Sequence, residues 1–223
     1  CDFQRLGAVR DELRDRWPEL RTLLLSATLT SEARASVLSA MRIDAARCMI
    51  VESRRLRPEL QYEVETFGRD ALKMPRLLER LRSLPRPGII YCTRKEACRE
   101  VVAALEAEGA VLSTRIYNGD TPSDARRQFL AEFQAGLVDI VVATNAFGLG
   151  VDKADVRFVL HYQVPESLDR YYQEVGRAGR NGWMADAVLF FSGQDMGVAH
   201  RQAIARLSTA YIVGRFRSMW NER

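Results

Sequence analysis

From residue 70 to residue 192, short continuous apolar runs alternate with segments whose apolar positions recur at helical spacing. The spacing predicts a helix over about 70–83, stopped before Pro85 and Pro87, and then a fully buried strand at 88–93, GIIYCT. Ala97, Val101 and Leu105 fall at i, i+4 and i+8 of the next helix, 94–108, which Gly109 closes. A strand over 111–117 follows. Thr121 and Pro122 then read as the cap and first residue of a helix that packs Ala125, Phe129, Leu130 and Phe133 and ends at Gly136. Strands at 138–143 and 156–162, a helix opening at Leu168 and a strand at 185–191 complete the series. Apolar strands joined by crossover helices imply an α/β fold: a parallel sheet with helices on both faces.

The flanks are less regular. Val9, Leu13 and Trp17 give a helix that Pro18 stops; 22–27 and 47–51 read as short strands on either side of a helix at 31–41 capped by Thr30. Residues 1–52 therefore read as the closing part of another α/β lobe. In 53–69 the periodicity weakens, which predicts a linker. Arg54, Arg55 and Arg57 cluster there before Pro58, and Tyr62, Val64 and Thr66 alternate like an edge strand. Residues 193–223, with Ala199, Ile204, Leu207, Tyr211 and Phe216, read as the helical start of an accessory domain.

One stretch stands apart, Leu168 to Gly182, LDRYYQEVGRAGRNG. On a continuous helix, Leu168, Tyr171, Tyr172 and Val175 share an apolar face, and Gln173, Arg177 and Arg180 fall at i, i+4 and i+7 on the other. Gly176 and Gly179 each cost about 1 kcal/mol of helix propensity, which is understandable if a large charged group approaches the backbone. Two planar guanidiniums suit a polyphosphate; a solvated arginine face is the plainer alternative.

Composition changes this picture little. The net charge is +4, with 47% hydrophobic and 28% charged residues, as in ordinary globular proteins. Lysine occurs only at 73, 95 and 153, so arginine dominates the cations. The cysteines at 1, 48, 92 and 98 form no C-x-x-C, and neither His161 nor His200 sits at ligand spacing, so no metal site is expected. No apolar run reaches membrane length and no signal-peptide pattern opens the chain, which fits a reducing, cytoplasmic setting.

In an open parallel sheet, ligands bind outside the carboxyl ends of the strands. The residues there are Cys92, Thr93 and Arg94; Asn118, Gly119 and Asp120; and the ten-residue loop Thr144 to Lys153, with Gly148, Gly150 and an isolated Phe147. They are mostly small or polar, as expected where a backbone approaches phosphates.

With these motifs in order, the chain resembles the superfamily 2 helicases, and within them the RecQ family. GIIYCTRKEA resembles motif IV, IVVATNAFGLGVDKADVRFVLHYQVP motif V, YYQEVGRAGRNG motif VI, and LLLSATLT the S-A-T segment of motif III. The resemblance covers about residues 20 to 192. It implies a motor of two RecA-like lobes with ATP between them, residues 70–192 being the second lobe and 1–52 the end of the first. Arg180, and with it Arg177, would act as the arginine finger, and Gln173 would sense the nucleotide. Gly150 and Asp152 would line the nucleotide side. Thr93, Arg94, Asn118, Gly119, Thr144 and Asn145 would hold the backbone of a single strand, and Ser26, Ala27 and Thr28 would couple ATP state to DNA grip.

The implied partners are single-stranded or forked DNA, the missing N-terminal RecA-like lobe and a larger protein complex, with no membrane. DNA would bring the protein to the nucleoid. A G-x-x-x-x-G-K-[ST] loop and a D-E-A-H box are missing, as is a cysteine cluster after residue 192. The chain thus reads as a fragment, inactive alone, with ATP and Mg2+ bound mainly by residues outside it. The alternatives are a superfamily 2 RNA helicase, or a non-catalytic nucleic-acid-binding module in a larger complex.

Overall fold

The computed structural model describes residues 2–26, 31–52, 56–109, 112–148 and 152–197, with the side chains of residues 2–4 and 32 excepted. The chain divides into two units, residues 1–55 and 56–223.

In the first unit, helix α1 (Asp2–Arg16) meets helix α2 (Ser31–Ala40). Gly7 sits at their approach: a Cβ there would lie 2.5 Å from the Ala40 carbonyl oxygen. The strands expected at 22–27 and 47–51 are absent from the described residues of both runs. Leu23, Leu25, Met49 and Val51 are instead at least 79% exposed. An apolar run becomes a strand only when a neighbour completes its hydrogen-bond ladder, and neither run is laddered here.

The second unit is built on six strands, β1 (Leu60–Phe67), β2 (Gly88–Tyr91), β3 (Thr114–Tyr117), β4 (Ile140–Ala143), β5 (Phe158–His161) and β6 (Ala185–Ser192). Their order is β1-β6-β5-β2-β4-β3, and every pairing is parallel. Among the described residues its helices are α3 (Lys73–Leu81), α4 (Lys95–Ala107), α5 (Ser123–Gln134) and α6 (Leu168–Val175), and residues 193–197 are helical after β6. Strand β1 lies in the stretch expected to be a linker. It pairs with β6 over its whole length, from Leu60 opposite Ala185 to Phe67 opposite Ser192. Its alternating pattern is that of an edge strand, and what draws it into the sheet is β6, more than 100 residues away in sequence.

Because side chains alternate across a strand, the sheet feeds two cores. Ile89, Tyr91, Val141, Ala143 and Val159 pack with Phe129, Phe133 and Phe147 on one face. Ile90, Val142, Leu160, Val188 and Phe190 pack with Leu77, Val101 and Leu105 on the other.

Two local expectations change. Pro122 stands at the N-cap of α5 and Ser123 begins the helix, while the Thr121 hydroxyl accepts the Asn118 N–H at 3.1 Å and so closes the preceding turn. Helix α6 ends at Val175 rather than running on towards Gly182, and Gly179 and Gly182 adopt φ of +63° and +82°. The glycines break the helix, as their backbone freedom favours.

After β2 the chain crosses to β3 on one side, and after β5 it crosses to β6 on the other. The carboxyl ends of β2 and β5 therefore flank the switch point where this kind of sheet binds ligands.

Candidate functional site

At that switch point a small cavity is lined by Tyr91, Thr93, Asn145, His161, Gln163 and Glu174, among others. Thr93 donates to the Gln163 side-chain oxygen twice, from its backbone N–H at 3.0 Å and from its hydroxyl at 2.8 Å. One amide thereby pins the turn after β2 to the segment after β5. Below it His161 Nε2 lies 2.8 Å from Glu174 Oε2, with side chains 1% and 4% exposed. Tyr91 stacks on the imidazole with centroids 5.3 Å apart, and its hydroxyl donates to the Phe147 carbonyl at 2.8 Å. Burial pushes the Tyr91 hydroxyl well above its ordinary pKa, with the nearby Arg177 guanidinium acting the other way. Among the described residues His161 Nδ1 has no hydrogen-bond partner.

Helix α6 links this cavity to the arginines. Ser167 caps it, its hydroxyl accepting the Arg170 N–H at 3.1 Å. Arg170 Nε reaches Glu166 at 3.3 Å and Glu174 at 3.7 Å on the same helix side. Helix α6, about 12 Å long, lines the cavity with Arg170 and Glu174, and its end leads directly into the arginine loop.

The expected stripe of Gln173, Arg177 and Arg180 on one helix face does not form, because both arginines lie beyond the helix. Gln173 is exposed on α6, whereas Arg177 is only 9% exposed, and its guanidinium lies against Gly148 and interacts with Tyr91. Arg180 is exposed: its Nη1 meets Asp152 Oδ1 at 2.5 Å and its Nε donates to the Gly176 carbonyl at 3.3 Å. The structure therefore separates two guanidiniums that the spacing makes equivalent.

The loop between them is anchored from outside. Arg57 Nη1 donates to the carbonyls of Gly176 at 3.1 Å and Ala178 at 3.0 Å, and its Nη2 to that of Gly179 at 2.7 Å. The Gly179 N–H donates to the Val156 carbonyl at 2.9 Å.

The remaining expected residues are dispersed. Thr93 and Asn145 share the cavity rim, and Arg94 is exposed just before α4. Thr144 is buried, its backbone N–H donating to the Tyr117 carbonyl at 3.2 Å. Asn118 is also buried, and its side-chain oxygen accepts the Asp120 N–H at 2.9 Å. The neighbouring Gly119 carbonyl accepts from Arg126 at 2.9 Å. Asn118 and Gly119 thus build the turn at the end of β3, two strands from the cavity. Asp152 is exposed, its carboxylate meeting Arg180 and its backbone carbonyl accepting from Gln134 Nε2 at 2.6 Å, and Gly150 lies outside the described residues. Ser26 belongs to the first unit; Ala27 and Thr28 lie outside the described residues.

Tyr91, Gln163, Arg170 and Glu174 are not among the site residues the sequence singles out, and His161 enters there only as a histidine away from metal-ligand spacing. Each lies inside or beside a quoted motif; for Tyr91 and His161 the signal is a polar atom in a strand expected to be buried, whereas Gln163, Arg170 and Glu174 carry no signal in the periodicity. Among the described residues no group of three or more His, Cys, Asp or Glu could hold a metal ion, and no helix is long and apolar enough to cross a membrane.

Comparison with known proteins agrees with this architecture. The family described as "Helicase conserved C-terminal domain" matches residues 72–182. The chain is 35% identical over 194 residues to "ATP-dependent DNA helicase hus2/rqh1" of Schizosaccharomyces pombe, covering 87% of this chain and 14% of that protein. It is 31% identical over 200 residues to "ATP-dependent DNA helicase RecQ" of Pasteurella multocida, covering 90% and 30% respectively. It therefore spans less than a third of either relative. A solved structure of Saccharomyces cerevisiae Dbp5 superposes with a TM-score of 0.66 at 20% identity, covering 90% of this chain and 51% of that one, which is a likeness of fold. Residues 72–182 thus carry a helicase C-terminal domain, and the chain is similar to ATP-dependent DNA helicases of the RecQ type.

Proposed function

We propose that the chain supplies the second motor lobe of an ATP-dependent 3′-to-5′ DNA helicase or translocase, with Arg180 as the arginine finger. The observation that carries this reading is the contrast between an exposed Arg180 and a buried Arg177 on a loop braced by backbone contacts. An exposed, preorganised guanidinium fits a phosphoryl group; a buried one braces the structure behind it. Arg180 would offset the charge that grows on the phosphoryl oxygens during transfer, a role that needs placement more than proton transfer. Gln173, exposed one helical turn before the loop, would contact the same nucleotide, and Asp152 would hold Arg180 between turnovers. ATP and Mg2+ would be held mainly by the partner lobe.

Thr93, Arg94 and Asn145, at the carboxyl ends of β2 and β4, would form the single-strand track, contacting the backbone without reading sequence. Asn118, Gly119 and Thr144 would support that track through the turns they close. The α6 segment, which lines the cavity with Arg170 and Glu174 and leads into the arginine loop, would transmit strand occupancy to Arg180.

The test is single-strand-stimulated ATP hydrolysis by the full-length protein carrying Arg180→Ala. A loss of about 10³-fold or more in turnover is expected, by analogy with other trans-acting arginines. Unchanged turnover refutes the assignment.

A further inference from the structure

The arginine cluster before Pro58 has no role in the reading above, yet Arg57 makes the most concentrated set of side-chain contacts near the finger. Its one guanidinium donates to three carbonyls, those of Gly176, Ala178 and Gly179, all between 2.7 and 3.1 Å. Those carbonyls lie just past the end of α6, where backbone acceptors lack helical partners and the helix dipole favours a cation. They also lie on the loop that carries Arg177 and Arg180. Glu59 Oε2, 3.4 Å from Arg57 Nε, balances the charge, and the Glu59 carbonyl accepts the Ala185 N–H at 2.9 Å where β6 begins.

We propose that Arg57 is a positioning residue for the arginine finger: its fork fixes the loop 176–179 from three residues before β1 and thereby sets where Arg180 points. This rests on the reading of Arg180 as the finger. The geometry calls for arginine in particular. A guanidinium offers its N–H groups in fixed coplanar directions, and here Nη1 serves two carbonyls while Nη2 serves a third. A lysine ammonium is a single point of charge and cannot hold three separated acceptors in fixed directions. Gly179 at φ +63° and Gly176 bring little conformational preference of their own, so the loop takes its shape from what grips it. Arg57 stands two residues after the boundary between the units at 55 and 56, so the chain's entry into the second unit is itself the grip.

The experiment is a double-mutant cycle in the full-length protein, reading single-strand-stimulated ATP hydrolysis and single-strand affinity for Arg57→Ala, Arg57→Lys, Arg180→Ala and Arg57→Ala with Arg180→Ala. Arg57→Ala is expected to lower kcat about 10- to 100-fold, the scale of an ångström-level misplacement. The KM for ATP and the strand affinity should stay within about 3-fold, because uniform binding is untouched. In the Arg180→Ala background the same change should cost less than about 3-fold, since the residue it positions is gone. Arg57→Lys should recover only part of the loss. Arg180→Ala with reduced turnover beside an unaffected Arg57→Ala overturns the positioning role alone, as do losses that multiply in the double variant. Full activity in Arg57→Lys also overturns it. Unchanged turnover in Arg180→Ala overturns the finger and this inference together. If Arg57→Ala shows no cooperative melting, Arg57→Lys with Arg180→Ala carries the same cycle.

Discussion

Glu174→Ala is the substitution whose outcome the structure constrains most tightly. Glu174 is 3% exposed and faces a His161 that is 1% exposed, 2.8 Å away. Truncation leaves His161 Nε2 without its acceptor in a site that excludes solvent, worth about 1–3 kcal/mol. Removal of the buried methylene stem adds about 1 kcal/mol. The total is about 2–4 kcal/mol, and a domain of this size shifts by about 2–4 °C in Tm per kcal/mol, giving a fall of about 4–16 °C. Glu174→Gln keeps the volume and a carbonyl acceptor for the imidazole, so its cost should be about half or less. Replacing both partners by apolar residues, Glu174→Leu with His161→Phe, should return stability to within about 2 kcal/mol of the wild type, because no buried polar group is then stranded. Differential scanning calorimetry of the four proteins reads the series. A Tm fall under about 2 °C for Glu174→Ala, or a double variant no better than Glu174→Ala, refutes the reasoning.

Other sites give independent tests. A Cβ at Gly88 would overlap the Phe158 ring on the neighbouring strand, so Gly88→Ala should cost about 1–3 kcal/mol by overpacking, read by urea denaturation. Burial holds the Asp186 carboxyl above its ordinary value, against the opposing fields of Arg80 and Arg157. Its folded form binds the proton more tightly than the unfolded form, so stability is fullest below the ordinary value near 3.8 and is lost as pH rises through that value and the folded one. Asp186→Asn should therefore raise Tm at pH 7 and leave it nearly unchanged at pH 3; an equal shift at both would sink the argument. Arg94 is exposed beside the cavity rim, so Arg94→Ala should weaken single-strand binding and lower the slope of log K against log salt by about 0.7. An unchanged slope would remove Arg94 from the track.

Much of this protein is legible in one dimension. Ile89, Ile90 and Tyr91 are apolar without a break because both faces of β2 are covered, and that run marks a parallel interior strand. The repeated alternation of such runs with helical spacing yields the fold, and the quoted motifs point to the family. Their information is local: each side chain reports on neighbours within a turn or a strand.

What required the tertiary structure is non-local. Leu60–Phe67 belongs to the sheet rather than to a linker because β6 supplies its ladder from over 100 residues away. Arg177 and Arg180 look alike in sequence, but α6 ends at Val175, and the loop then buries one beside Tyr91 and leaves the other at the surface with Asp152. His161 meets Glu174, and Arg57 meets the arginine loop, only because a strand end and a helix end are folded side by side. Periodicity specifies which face of an element is buried, but it carries no term for what lies opposite. That choice is made by packing, where hydrogen-bond partners far apart in sequence must satisfy one another once water is excluded.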